Sequence, residues 1–252
     1  MGGSRPFGSM SAQPMGGVAV RPMGGSQSMS NEGMVQQTNN KKNNYEYVDL
    51  GLSVKWATCN MGADEPEDRG DYFAWGETGT KSTFKWDNYK FRISGNSYQD
   101  LTFSKYNTDP ARGSVDSITV LALTDDVAHV RWGGNWRMPT IEEFQELIDN
   151  CTWTWTELND SFKSGYIVKS NIPGYTDRSI FLPAAGWKGE ELSLQGMFGC
   201  YWTASLNSHQ PFSARRVEFA SNQEMMALSS GAINSTFSAS RANGLSVRPV
   251  CP

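Results

Sequence analysis

The chain has 252 residues, enough for one large domain or two small ones with a substantial buried core. Its net charge is −4, and its basic pairs Lys41-Lys42 and Arg215-Arg216 are isolated, which argues against nucleic-acid binding. No stretch approaches the roughly 18 apolar residues that cross a bilayer, which argues against membrane insertion.

Few charges and many aromatic rings characterise the composition. Charged residues make up 19% of the chain and aromatic residues 12%, so the polar surface must come largely from Ser, Asn, Thr and Gly. Aromatic side chains mixed with small polar ones are typical of antibody-like contact surfaces. Many all-β proteins share this composition, so it leaves both interpretations open.

Residues 1–44 differ from the rest because they are rich in Gly, Ser, Met, Gln and Asn, with related units at 5–8 and 21–24. Too few periodic apolar residues are present to offset the entropy of ordering, so we expect a disordered leader. It could be a plain linker, or a tail for homo-oligomerisation or particle assembly. No signal-peptide apolar region is visible, so we expect cytoplasmic synthesis, with virion association or cell-surface display left open.

The folded domain is predicted at residues 45–252. Alternating apolar residues at 45–50 and 54–57 indicate two strands, and 71–75 indicates a third after a polar loop. Residues 77–118 contain many turn formers and are predicted to be mostly irregular.

A helix is predicted from Thr140 to about Asn150. Thr140 and Glu143 have the spacing of a capping box, and the apolar residues that follow lie on one helical face. A second, shorter helix is expected to start at Thr124, with Asp125 and Asp126 in its first turn.

From Cys151 onward the pattern is β. Short strands are predicted at 152–156, 165–168, 179–183, 201–204, 216–219 and 245–248. One or two helices followed by many short strands predict an α+β fold.

The four cysteines, Cys59, Cys151, Cys200 and Cys251, form no CxxC pair, and the chain has only two His, so a zinc site is not expected. Three disulfide connectivities are possible for four cysteines. Because no export signal is visible, we expect reduced, buried thiols.

Residues 132–140 read Trp-Gly-Gly-Asn-Trp-Arg-Met-Pro-Thr, and segments at 47–57, 181–186 and 244–250 accompany this motif. Together they resemble the formylglycine-generating-enzyme-like branch of the C-type lectin fold. More narrowly, the chain is similar to the variable proteins of diversity-generating retroelements, for which phage tropism determinants are the functional model. The resemblance implies a C-type-lectin-like domain whose segment from about 200 to 252 is diversified to bind protein or cell-surface targets.

In that family a fixed framework carries variable exposed residues. Along 216–219, strand alternation sends Val217 and Phe219 to one face and Arg216 and Glu218 to the other. We expect Arg215, Arg216, Glu218 and Asn243 to share one solvent-facing patch. The ligand-contacting residues implied by the resemblance are His209, Phe212, Ser213, Arg215, Arg216, Glu218, Ser221, Asn222, Ala239, Ser240, Ala242 and Asn243.

Three other functions are alternatives to a binding module: an enzyme, a calcium-dependent lectin and a structural component. Cys200 and Cys251 lie outside the cysteine motif of the formylglycine-generating relatives, and His129 and His209 cannot form a three-His site, so no enzyme activity is expected. Gln210-Pro211-Phe212 lacks the oxygen ligand that a calcium lectin needs, so neither metal nor cofactor is expected. A structural decoration or adhesin component with a fixed surface is the remaining alternative.

Overall fold

Antiparallel pairing of short strands organises the computed structural model of this protein. The structure describes residues 40–42, 44–158, 163–221, 233–235 and 237–252, all within a unit that runs from Val35 to Pro252. In chain order the strands described are β1 (Asn40–Lys42), β2 (Tyr45–Val48), β3 (Lys55–Ala57), β4 (Arg92–Ser94), β5 (Thr102–Phe103), β6 (Cys151–Glu157), β7 (Ser164–Ser170), β8 (Ser179–Pro183), β9 (Trp187–Lys188), β10 (Leu192–Ser193), β11 (Phe198–Leu206), β12 (Ser213–Ala220), β13 (Ile233–Asn234), β14 (Ser238–Ser240) and β15 (Val250–Cys251).

The helices lie between β5 and β6: α1 is Val127–Trp132 and α2 is Ile141–Asn150, with 3-10 turns at Trp86–Asn88, Pro110–Arg112 and Leu123–Asp125. Among the described residues no helix has both the length and the apolar character to cross a bilayer. The predicted α+β class is confirmed.

Three antiparallel sheets carry most of the pairing, and two-stranded ladders join β4 to β5 and β9 to β10. The first sheet has the order β1-β2-β3-β15, so the end of the chain pairs with its beginning. The second is β6-β7-β8. In the third, β12 lies at the centre, paired with β11 on one side and with β13 and β14 on the other.

Helix α2 is confirmed with the predicted bounds. The Thr140 hydroxyl accepts a hydrogen bond from the Glu143 amide at 3.3 Å, and the Glu143 carboxylate accepts one from the Thr140 amide at 2.8 Å. Phe144 and Leu147 are fully buried on the face that meets the sheets. The capping box and the apolar stripe both indicate a helix that begins after Thr140, which is why this helix is predictable from sequence.

Helix α1 begins later than predicted, because Asp126 is its cap and not part of its first turn. The Asp126 carboxylate accepts the amide hydrogens of Ala128 at 2.9 Å and His129 at 3.2 Å, and it also accepts that of Met138 at 2.8 Å. Asp125 belongs to the preceding 3-10 turn, so the expected start at Thr124 is wrong.

Two predicted strands, 71–75 and 245–248, are wrong as strands. Phe73 and Leu245 form one isolated antiparallel bridge, while Ser246 forms a bridge with Tyr201 instead. Neighbouring residues of 244–246 thus pair with different partners, and no continuous ladder develops. The strand near the carboxyl end is β15.

The described pairing begins a few residues before Tyr45, the predicted start of the folded part, and residues 1–39 of the expected leader lie outside the described residues. Strand β1 pairs with β2 in the register Asn40 to Tyr47 and Lys42 to Tyr45. The Asn- and Lys-rich composition of 39–44 gave no apolar alternation, so only the pairing with β2 reveals this strand.

Two large aromatic-rich clusters, one on each face of the β11–β12 sheet, make up most of the core among the described residues, and a small third cluster contains Ala57, Trp136 and Cys251. We call the first the loop-side cluster; its members include Phe73, Trp75, Phe103, Tyr106 and Trp202. The second, the helix-side cluster, includes Trp56, Phe144, Leu147, Tyr201 and Phe219. Because both faces of the central sheet are covered, its strands are buried along most of their length.

The motif at 132–140 links these parts. Trp132 stacks on Tyr45 with ring centroids 4.0 Å apart, and its ring meets the buried Trp136 edge-on at 5.0 Å. Arg137 donates to the Glu143 carboxylate, and its backbone pairs with Val250 of β15. The motif therefore joins the first sheet to the start of α2.

Candidate ligand-binding surface

The residues assigned to the framework between β11 and the end of the chain are buried. Residues 201–207 and 244–251 are buried without interruption, as are Pro211, Ala214, Phe219 and Arg241. The predicted alternation in β12 is also present, since Val217 and Phe219 both belong to the helix-side cluster.

The Arg248 side chain connects the C-terminal segment of this framework to strands from earlier parts of the chain. Its fully buried guanidinium donates to the Asn60 side chain at 2.9 Å and to the carbonyls of Ala57, Thr58 and Phe181 at 3.0, 2.7 and 2.8 Å. The Asn60 amide in turn donates to the Tyr201 hydroxyl at 3.1 Å. One side chain thereby ties the last segment to β3, β8 and β11.

Four of the expected contact residues are not exposed: Ser213, Glu218, Ala239 and Ala242 are at most 6% accessible. Ala239 and Ala242 belong to the loop-side cluster, and Ser213 pairs with Ser240 in the β12–β14 ladder. Glu218, Ala239 and Ala242 are buried because the loop-side cluster covers the second face of the sheet, whereas the prediction assumed that this face was open. Ser213 lies on the face of Val217 and is buried at the turn, where its amide donates to the Gln210 carbonyl at 2.8 Å.

Glu218 forms a shielded ion pair with Arg216. Its Oε2 lies 2.5 Å from Nη2 of Arg216, and the two side chains are 7% and 21% exposed. Burial raises the pKa of Glu218, against the opposing charge of Arg216. Arg216 also reaches the Cys200 sulfur at 3.6 Å. These groups form an internal polar contact beside β11 and offer little surface to a ligand.

Arg215 and Arg216 point to opposite faces of β12, because adjacent residues of a strand alternate. Arg215 therefore shares the face of Val217, and Arg216 shares that of Cys200 and Trp202, its cross-strand neighbours. Asn243 lies elsewhere, in the turn after β14, where its amide donates to the Ser240 carbonyl at 3.0 Å. The expectation of one patch containing Arg215, Arg216, Glu218 and Asn243 is wrong.

The turn between β11 and β12 does present side chains outward. His209 is exposed there, and Phe212 is half-buried. The Phe212 ring lies 5.2 Å from the ring of Tyr98, which is 52% exposed, and 4.8 Å from the guanidinium carbon of Arg112. We call Tyr98, Arg112 and Phe212 the Phe212 surface.

Arg241 holds this turn from below. Its amide donates to the Phe212 carbonyl at 3.1 Å, and its Nη1 donates to the Pro211 carbonyl at 2.7 Å. The Thr108 hydroxyl donates to the Ser208 carbonyl at 2.7 Å. The backbone beneath Phe212 is therefore fixed by buried and partly buried donors, which pre-organises the ring for contact.

Sequence reasoning missed Tyr98 and Arg112, since both lie in the stretch predicted only as irregular. Arg112 is held by its own donations to the carbonyls of Tyr98 at 2.8 Å and Leu101 at 3.3 Å. No local pattern signals that these residues meet Phe212, which lies 114 positions after Tyr98 and 100 after Arg112. The one visible clue was an aromatic residue in a turn-rich polar segment.

Ser221 and Ser240 are half-buried at separate places. The Ser221 amide donates to the Met197 carbonyl at 3.1 Å, whereas Ser240 lies in β14. Asn222 lies outside the described residues. The eleven predicted contact residues that the structure describes are therefore distributed over several sites.

The cysteines are free thiols, and three of them, Cys151, Cys200 and Cys251, are buried as expected, whereas Cys59 is partly exposed. Burial raises the pKa of Cys151 to about 11 and that of Cys200 to about 12, and burial also raises that of Cys59. Such thiols are protonated near neutral pH and are weak nucleophiles. Within the described ranges no group of three His, Cys, Asp or Glu side chains is arranged to hold a metal ion.

Comparison with known proteins adds no relative: no protein-family model, curated protein or solved structure matches this chain.

Proposed function

We propose that this chain is a non-enzymatic binding protein with a C-type-lectin-like domain, and that it contacts a protein or cell-surface ligand through its C-terminal half. The observation that carries the proposal is the Phe212 surface, where the exposed Tyr98 ring and the half-buried Phe212 ring meet over a turn fixed by buried Arg241. Rigid aromatic side chains give large contact areas at low entropic cost, and Arg and aromatic residues dominate binding hot spots.

The ligand-contacting set is therefore narrower than the resemblance implied. We propose His209, Phe212 and Tyr98 as its centre, with Arg112, whose side chain is only 16% exposed, supporting the Phe212 ring. Arg215, Ser240 and Asn243 are further, partly exposed positions. Ser213, Glu218, Ala239 and Ala242 are left out because they are buried. Substituting them would change the packing before it changed a contact.

Diversification by a retroelement is part of the same proposal. The buried framework of 201–207 and 244–251 supports it, because a scaffold must keep its shape while exposed side chains change. The neighbouring DNA tests it. We expect a near-copy of the 3′ end that differs only at adenines, beside a reverse transcriptase gene, and a locus without such a copy would refute the diversification.

The binding function is tested with the full chain on a glycan array and against a phage-displayed library of protein fragments. We expect a specific binder whose affinity falls at least about 30-fold in the Tyr98→Ala/Phe212→Ala variant, the loss expected for hot-spot rings. Because the half-buried Phe212 ring also packs against the loop-side cluster, the double variant should lose some stability, so binding is compared at a temperature at which circular dichroism shows it to be folded.

Tyr175→Ala is the matched control. Tyr175 also lies under an arginine, with the Arg178 guanidinium 4.6 Å from its ring, but it belongs to a different loop. Binding that survives the double substitution, or that falls equally in the Tyr175 variant, would reject the Phe212 surface as the contact site. The absence of any specific binder in both libraries would reject the binding function.

A further inference from the structure

A polar cleft lies away from the Phe212 surface and shares none of its residues. Its volume is about 600 Å³, within the range of small-molecule sites. It is lined by Gly62, Glu67, Asp68, Arg69, Gly70, Lys163 and Gln195. Its walls therefore come from three segments that are distant in sequence: the loop at 62–70, Lys163 and the loop that carries Gln195.

The loop that carries Arg69 is held firmly. The Asn60 amide, itself bound to the buried Arg248, donates to the Arg69 carbonyl at 3.0 Å, and the Asp71 amide donates to the Met61 carbonyl at 2.8 Å. Gly70 has a φ of +69°, and a Cβ there would lie 2.3 Å from the Met61 carbonyl oxygen, so only glycine fits.

The opposite loop is fixed equally well. Leu194 adopts a positive φ of 58°, and its carbonyl accepts hydrogen bonds from the amides of Met197 and Phe198 at 3.2 and 3.0 Å. The Gly196 amide donates to the Ala184 carbonyl at 2.8 Å. A bulky residue in this conformation costs energy, which the surrounding structure must offset, and such strain is concentrated at functional sites.

The side chains of Arg69 and Gln195 meet in this cleft, and both carry hydrogen-bond donors. Arg69 Nη1 donates to Oε1 of Gln195 at 2.6 Å, which directs the Gln195 amide NH₂ away from the guanidinium. In the part of the chain that the structure describes, Arg69 has no carboxylate partner. By contrast, Lys163 pairs with Asp68 at 2.8 Å.

We propose that this cleft binds the carboxylate of a small polar molecule, with the carboxylate oxygens on Arg69 and on the Gln195 amide. Both groups are donors, and a guanidinium matches the planar geometry of a carboxylate. Glu67 and Asp68 in the same walls disfavour a doubly charged anion such as phosphate, but they leave room for a single negative charge.

The test is a titration of the full chain with acetate and with glucuronate as carboxylate probes, followed by NMR of the Arg69 Nε–H and the Gln195 side-chain amide. Glucose is the neutral control and inorganic phosphate the dianionic one. We expect glucuronate to shift both signals with a Kd in the millimolar range or tighter, since one exposed guanidinium supplies most of the attraction, while glucose leaves them unchanged.

Two arginine variants test whether the Arg69 guanidinium binds the carboxylate. Arg69→Gln should weaken glucuronate binding at least about 10-fold, the equivalent of one charge-assisted hydrogen bond. Arg178→Gln removes an arginine outside the cleft and should leave the affinity within about 2-fold. Failure of both carboxylates to bind at about 50 mM, equal affinity in the Arg69 variant, or tighter binding of phosphate than of glucuronate would each overturn the proposal.

Discussion

Arg241 shows how much depends on single polar residues in this core. Its side chain is fully buried and donates to the Tyr89 hydroxyl at 2.8 Å and to the carbonyls of Lys105, Tyr106 and Pro211 at 3.0, 3.0 and 2.7 Å. Its guanidinium carbon lies 4.6 Å from the ring centre of Phe103 and 5.2 Å from that of Trp75. Carbonyl oxygens and aromatic rings, and not a carboxylate, therefore stabilise the positive charge of Arg241.

Arg241→Lys should destabilise the protein by about 2–4 kcal/mol, although the charge is kept. The ammonium cannot reach carbonyls on both sides as the planar guanidinium does, so buried acceptors lose their partners. Urea unfolding measures the change.

Arg131→Lys is the matched control for Arg241→Lys. Arg131 also lies over an aromatic ring, 4.8 Å from that of Phe73, but it is 33% exposed and pairs with Asp71. We expect its substitution to cost no more than about 0.5 kcal/mol. Equal losses in the two variants would show that the carbonyl contacts of Arg241 contribute nothing specific.

Strand β11 depends on a close approach to β12. Gly199 lies opposite Phe219 in the ladder, and a Cβ on Gly199 would lie 2.2 Å from the Phe219 ring. That ring packs against Tyr166 at 5.3 Å and Tyr201 at 5.8 Å, so it cannot move aside without disturbing the helix-side cluster. Glycine at this position is therefore a packing requirement.

Gly199→Ala should lower the free energy of unfolding by about 1–3 kcal/mol, the usual cost of forcing extra volume into a packed core. Adding Phe219→Leu should reduce the effect of the alanine, because the leucine removes the atoms it would meet, and a double-mutant cycle by urea unfolding measures this coupling. Gly79→Ala is the control, since nothing lies within 4 Å of its Cβ position. Independent effects at 199 and 219 would contradict the contact.

At the scale of the whole molecule, the β11–β12 sheet belongs to both clusters. Cys200, Trp202 and Ala214 contribute to the loop-side cluster, while Tyr201 and Val217 contribute to the helix-side cluster. Neither cluster can lose its packing without exposing one face of the shared sheet. We therefore expect the two clusters to unfold as a single cooperative unit.

Two buried thiols report on this cooperativity, because Cys200 lies in the loop-side cluster and Cys151 in the helix-side cluster. In increasing urea, both should become reactive toward iodoacetamide at the same midpoint, as measured by mass spectrometry of the labelled peptides. Cys59 is partly exposed but has a pKa raised by burial, so it should react slowly before unfolding and serves as the reference for labelling of the folded state. Separate midpoints for Cys151 and Cys200 would mean that the clusters unfold independently.

The sequence by itself determined the elements whose signals are local. The capping box at Thr140 and Glu143 defined α2, and alternation defined most strands from β6 to β12, because cap hydrogen bonds and side-chain direction depend only on nearby residues. The burial of residues 201–207 and 244–251 agrees with the fixed framework that the family resemblance implies near the C-terminal end, and no periodic pattern indicated it.

Only the tertiary structure decided which residues face solvent at the C-terminal end. Alternation separated Val217 from Glu218, but it could not reveal that both faces of the sheet are covered, so Glu218 and Ala239 turned out to be buried. It could not bring Tyr98 and Arg112 to Phe212, or Arg69 to Gln195, because such contacts join loops whose separation along the chain carries no periodic signal. The exposure of a side chain depends on which distant segments pack against it, and a local sequence pattern carries no information about those segments.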